Sequence, residues 1–216
     1  MLTAPAANPD PLILRAHPAT PCPAVARLTV ALGAVPGVHG PVLHLRYVLQ
    51  GDLAALRWPA PAFPGAADGL WRHTCFEVFI GAPEAPTEMP GTPDAPAYRE
   101  FNFAPNGQWA SYAFRAERER DARIERAAPV RPLRMACQRQ GDTFTLTATL
   151  PAAAWPAPAH TCRLGLSAVI ETQDGALACF ALTHPREAPD FHHRAGWTAP
   201  APEPAESVHR TATHPV

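Results

Sequence analysis

The sequence contains no lysine: all eighteen basic residues in its 216 positions are arginine, set against nineteen acidic ones. The resulting formal net charge of -1 leaves no general attraction to a polyanion, so neither nucleic acid nor an anionic membrane surface is an expected partner. No apolar run is long enough to span a bilayer, and the N-terminus lacks the basic and apolar regions of a secretion signal, which makes the cytoplasm the expected compartment. Close cysteine pairs are missing too. Cys22, Cys75, Cys137, Cys162 and Cys179 show no metal or redox spacing, and an odd number suits a disulfide framework poorly, so they read as buried thiols. There is no nucleophile elbow, phosphate loop or dinucleotide fingerprint, which leaves the common catalytic motifs without a representative.

Proline, by contrast, is abundant at 28 residues, which argues against a helical protein and for many loops. The clearest periodicity lies at residues 42 to 50, where Leu43, Leu45, Tyr47 and Leu49 alternate with His44, Arg46, Val48 and Gln50, the mark of a strand with one buried face. Similar short runs recur at residues 12–15, 26–32, 74–80, 98–103, 108–114, 133–138, 143–150, 162–171 and 177–183. Their spacing predicts an all-β fold, an antiparallel β-sandwich with short helical turns in its connections. Asp174-Gly175 signals a two-residue hairpin, while Gln140-Gly141-Asp142 and Pro105-Asn106-Gly107 suit slightly longer turns. Residues 81–96 read as a long loop, 116–128 as a solvated loop or exposed helical turn, and 151–155 as a single helical turn. The expected organisation is a flexible segment at 1–10, one domain at 11–198 and a disordered Pro-rich tail at 199–216.

Two blocks carry a family signal. Leu70-Trp71-Arg72-His73-Thr74-Cys75-Phe76-Glu77-Val78-Phe79-Ile80 is followed, after a loop, by Tyr98-Arg99-Glu100-Phe101-Asn102-Phe103-Ala104-Pro105-Asn106-Gly107-Gln108-Trp109. This pair resembles the core signature of DOMON-like domains, akin to the family-nine carbohydrate-binding modules. The stretches 166–171, 181–185 and 189–192 are similar to a bacterial subgroup of stand-alone DOMON-like proteins, so the resemblance spans about residues 10 to 198. It implies a β-sandwich that binds a sugar or a haem, and it does not choose between them. Phe180 stands where the pattern has Trp. Haem-binding relatives use a Met and a His as axial ligands, but Met89 falls in the Pro-rich loop and Met135 lies far from the signature, so no haem or other cofactor is assigned.

Because side chains alternate across a strand, Cys75, Glu77 and Phe79 share one face, as do Tyr98, Glu100 and Asn102. If the two strands pair, their polar members meet. Arg46, with His44 beside it, and Arg72 would balance the charge, and Trp71 or Trp109 could stack on a sugar ring. The plain alternative is an outer sheet face of cross-strand charge pairs, with Arg72 and His73 bridged to Glu77 or Glu100. His184, placed opposite Gly165 by a two-residue hairpin, completes the candidate ligand-binding set. With Asp190, His192 and His193 it suggests a metal, yet without an HxH or HExxH pattern no metal site is assigned, and a backbone hydrogen bond is the plainer role for His184. The expected function is non-catalytic binding of a carbohydrate or similar polar small molecule. The alternatives are a glycoside-active enzyme using Glu77 and Glu100, whose carboxyl separation would set its stereochemistry, and a haem-binding electron-transfer domain.

Overall fold

A computed structural model describes residues 10 to 82 and 96 to 204. Strands account for 47% of the described residues and helix for 10%, so the β-rich character expected from the periodicity is present. The strands are β1 (Leu12–Ala16), β2 (Val25–Val35), β3 (Val42–Gly51), β4 (Gly65–Ala66), β5 (Cys75–Gly81), β6 (Tyr98–Phe103), β7 (Gln108–Ala116), β8 (Glu119–Arg120), β9 (Arg134–Gln140), β10 (Thr143–Leu150), β11 (Arg163–Glu171), β12 (Leu177–Ala181) and β13 (Ala199–Pro200). One short helix, α1 (Ala122–Ala127), follows β8. Its first turn is capped by Asp121, whose side chain accepts from the backbone N–H of Arg123.

Pairing runs in the order β4-β7-β6-β5-β11-β12-β1-β2-β3-β10-β9, with β13 added to β11 and β8 to β7. The result is one large sheet curled into a half-barrel. It is mixed, because β4 runs parallel to β7, and so departs from the purely antiparallel pattern expected. The seam is β1: Leu12, Ile13 and Leu14 pair with β2, while Arg15 and Ala16 pair with β12. Across the concave side, the Tyr47 ring lies 5.3 Å from Phe76, Phe76 stacks 5.6 Å from Phe144, and the Tyr47 hydroxyl donates to the Glu77 carbonyl at 2.6 Å. The main core gathers apolar side chains from β2, β3 and β10 on one half and from β5, β6 and β11 on the other. Each fully buried side chain of this size contributes about 1.5–3 kcal/mol.

β10 shows how the sequence dictates this arrangement. Its threonines alternate with Phe144, Leu146, Ala148 and Leu150, which are all buried. Stiff β-branched side chains suit the pleat, and the apolar ones face the core.

Three local expectations change. Around Asp174-Gly175 the pairing is Glu171 with Leu177, and Gly175 takes a φ of 87°. The loop is therefore one residue longer than a two-residue hairpin, and the register that would set Gly165 opposite His184 is lost. Conversely, Gln140 pairs with Thr143, so Gly141-Asp142 forms the tight two-residue turn. At the C-terminus, Ala199 is buried and β13 pairs with β11, so the fold extends through the first residues of the expected tail. The expected flexible segment, apart from Asp10, most of the 81–96 loop with Met89, and the tail beyond residue 204 lie outside the described residues. The predicted turn at 151–155 is present as a helical turn at Ala152–Ala154. Of the two alternatives for residues 116–128 the helical turn is present, as α1, and it is anchored by burial of Ile124.

Candidate functional site

β5 and β6 are buried on both faces, and so is almost all of β11. Phe76, Val78 and Ile80 of β5 enter the main core, whereas Cys75, Glu77 and Phe79 point to the convex side. The registers assemble that side row by row. Ala181, Ser167, Glu77, Asn102 and Ala110 lie in one row, and Gly165, Phe79, Glu100 and Tyr112 in the next. A second apolar cluster of Phe79, Tyr98, Ala110, Tyr112, Phe114 and Trp197 covers part of this surface.

The chain returning after β12 supplies the cover. Trp197 donates to the Phe191 carbonyl at 2.9 Å and stacks 5.9 Å from Phe79. A Cβ on Gly165 would lie 2.2 Å from the Trp197 ring. The glycine therefore makes room for an indole, not for the His184 imidazole expected beside it. Asp190 anchors the segment by accepting from Arg118 at 2.7 Å and pairing with Arg186 at 2.9 Å.

Between this cover and the turn at Leu70–Arg72 lies a cavity of about 440 Å³. Glu77 and Glu100 belong to its floor. Phe79, Tyr112, Phe114, Val169 and Phe191 wall it, and Trp71, Arg118 and Arg120 stand at the rim. Glu77 accepts from the Ser167 hydroxyl at 3.2 Å through Oε2. Glu100 accepts from the Asn102 amide at 2.9 Å through Oε1. Glu77 Oε1 and Asn102 Oδ1 are buried without a hydrogen-bond partner, an arrangement that costs about 1–3 kcal/mol per group unless something fills it.

Burial pushes the Glu77 carboxyl well above its usual range, with the Glu100 charge adding to the effect. Burial also raises Glu100, to about 7, against the lowering influence of Asn102, Arg120 and Arg118. His192 is driven down to about 4 by desolvation and then by Arg118. Its Nδ1 lies 2.8 Å from the Tyr98 hydroxyl, which accepts from the Arg118 backbone N–H at 2.9 Å. The hydroxyl, already accepting once, is placed to donate to Nδ1, the arrangement in which the neutral ring carries its proton on Nε2. That nitrogen faces Glu100 at 3.7 Å, beyond a direct hydrogen bond. At the rim, Arg120 clamps Glu125 through two hydrogen bonds of 2.8 and 2.9 Å, and Tyr112 donates to Asp68.

Of the residues expected at a site, the structure brings Glu77, Glu100 and Trp71 to the cavity, with Asn102 behind the two carboxyls. Arg72 turns away, with its guanidinium 5.0 Å over the Trp71 ring. Arg46 is exposed on β3, opposite Thr147 and Ala31 on the other half of the sheet, so it balances no charge here. Trp109 pairs with Phe103 and packs against the main core, since its parity on β7 is opposite to that of Tyr112 and Phe114. The His184 ring hydrogen-bonds the Arg15 carbonyl at 2.8 Å and meets His17 edge-on at 4.7 Å, outside the cavity. The ion pairs expected of Arg72 and His73 with Glu77 or Glu100 are absent among the described residues. His73 instead joins Arg57 on Glu171, at 2.8 and 3.1 Å.

Sequence reasoning missed Asp68, Tyr112, Phe114, Arg118, Arg120, Phe191 and the inward placement of His192. For Tyr112 and Phe114 the signal was available, because pairing β7 antiparallel to β6 sets them opposite Glu100 and Tyr98. Among the described residues no group of three His, Cys, Asp or Glu side chains could hold a metal, and no helix is long and apolar enough to cross a membrane. Met135 sits on β9, at the far end of the strand order from the cavity, so it forms no axial pair with His184 or His192. Compared with protein-family models and with curated proteins, the chain matches none.

Proposed function

We propose that the chain is a non-catalytic binding module that takes up a polar small molecule in the convex-face cavity, a carbohydrate being the class that the DOMON-like resemblance implies. In this reading the two halves of the curled sheet correspond to the layers of a β-sandwich joined through β1. The five cysteines, none in a disulfide, suit a reducing compartment such as the cytoplasm. The observation that carries the reading is a pair of buried oxygens without a hydrogen-bond partner, Glu77 Oε1 and, behind it, Asn102 Oδ1, under the floor of a cavity large enough for a small ligand.

The test is a thermal-shift screen of mono- and disaccharides and other polar metabolites, followed by calorimetry of any hit on the parent and on Glu100→Gln. The substitution keeps the side-chain shape and should cost about 1.5–3 kcal/mol of binding, the worth of a hydrogen bond to a charged group. No arginine pairs with Glu100 among the described ion pairs, so the folded state should tolerate the change. A large fall in melting temperature, with no compound shifting the parent, would make the cavity structural. The enzyme alternative is favoured by one observation, two carboxyls of raised pKa on neighbouring strands. Hydrolysis of aryl glycosides that is lost in both Glu77→Gln and Glu100→Gln would establish it.

A further inference from the structure

We infer that the ligand of this cavity is an organic monoamine, an ammonium group on a compact apolar or aromatic body. The inference rests on the reading of the cavity as a binding site and names what enters it. The polar groups of the floor are the carboxyls of Glu77 and Glu100, and the oxygens without a partner there and just behind it are Glu77 Oε1 and Asn102 Oδ1. Glu77 and Glu100 are 2% and 5% exposed, and neither pairs with an arginine among the described ion pairs. The guanidiniums at the rim are engaged elsewhere, Arg118 with Asp190 and Arg120 with Glu125 and Asp68. The site therefore holds two buried carboxyls that feel Arg118 and Arg120 only at a distance and have no arginine paired to them among the described ion pairs, a condition in which a cation brought into direct contact gains a charge-assisted hydrogen bond.

The walls point the same way. Phe79, Phe114, Phe191 and Tyr112 offer ring faces and edges with few hydrogen-bonding groups. Aromatic faces attract a cation and accept an apolar body, but they leave the hydroxyls around a sugar ring unpaired. One ammonium has N–H donors enough for Glu77 and Glu100, the two carboxyls that line the cavity. As it binds, the carboxyls ionise and release to solvent the protons they hold in the free site, because burial raises both above the usual carboxylate range, Glu100 to about 7.

The experiment is calorimetry on the full chain with matched pairs: benzylamine with benzyl alcohol, 2-phenylethylamine with 2-phenylethanol, and cyclohexylamine with cyclohexanol. At about pH 8 at least one amine should bind about ten-fold or more tightly than its alcohol, since each ionised partner strengthens the contact. Its heat should vary with buffer in the sense of proton release, and its advantage should shrink at about pH 5.5, where Glu100 is protonated. Glu77→Gln and Glu100→Gln should each remove most of the advantage. Amines that bind no better than the alcohols, or an advantage intact in both variants, would overturn the inference. If neutral sugars then bind in a Glu100-dependent way, the cavity remains a binding site for another class of ligand. If no probe of either kind binds, the binding-site reading falls with the inference.

Discussion

The two halves of the sheet use the same alternation for opposite ends. On β3 and β10 every second residue is buried, and the residues between them, Arg46 among them, lie half-buried or exposed. On β5 and β6 every residue is buried, so the residues that would face water on the first half, Glu77, Glu100 and Asn102, are enclosed on the second. An outward polar residue on β3 costs nothing to hydrate. The same residue type on β5 is forced into a new environment by Trp197, Phe191 and the turn at Trp71. A polar face becomes the floor of a cavity when something covers it.

Removing the cover should have the largest effect. Trp197→Ala vacates the space over Gly165 and should destabilise the fold by about 3–5 kcal/mol, as deletion of a buried indole does. Gly165→Ala attacks the same contact from below and should cost about 1–3 kcal/mol by overpacking. Denaturant midpoints would measure both, and a shift below about 0.5 kcal/mol for Trp197→Ala would mean that the second cluster is not part of the stable core.

Titration sharpens the comparison with a smaller effect. Glu100 ionises at about 7 in the fold and near 4.3 when unfolded. A raised carboxyl favours folding below the unfolded value, and that stability is lost as pH rises through about 7. At about pH 8, Glu100→Gln should therefore be more stable than the parent by about 1–3 kcal/mol, the gap closing towards pH 5. His192 acts in the reverse sense: its value of about 4 means stability present above the unfolded 6.5 and lost as pH falls towards 4. Chemical denaturation of His192→Gln across pH 4 to 8 should thus isolate the carboxyl contribution, as a stability that declines with rising pH. A flat profile would show that the carboxyls are hydrated in the fold.

The smallest effect belongs to the open face. Arg46→Ala should change stability by no more than about 0.5 kcal/mol, the usual cost at an exposed site, and should leave ligand affinity untouched by calorimetry. A loss of binding would place Arg46 against a ligand and break the contrast between the two faces.

Much of this was legible in the sequence. The limits of β6 and β10 follow from alternation and turn residues alone, and parity joined Glu77 with Phe79 and Glu100 with Asn102. Parity assigns a residue to a face of its own strand, but it does not say which strands adjoin. Arg46 has the right outward parity on the wrong half, and Trp109, expected to stack on a ligand, sits one position out of phase with Tyr112 and Phe114 and packs against the main core. His192 was beyond reach for another reason. Residues 189 to 197 have no periodicity, and their course is set by long-range contacts, Asp190 with Arg118 and Trp197 over Gly165.

The divided pairing of β1 has a thermodynamic consequence. A strand that completes the hydrogen-bond ladder of both halves cannot be released from one without opening the other, so the halves do not melt as separate units. Binding energy gained in the cavity is then spread over the molecule by mass action. If the proposed binding holds, a ligand that touches only the convex side of β5 and β6 should slow amide exchange in β3 and β10, strands it never meets.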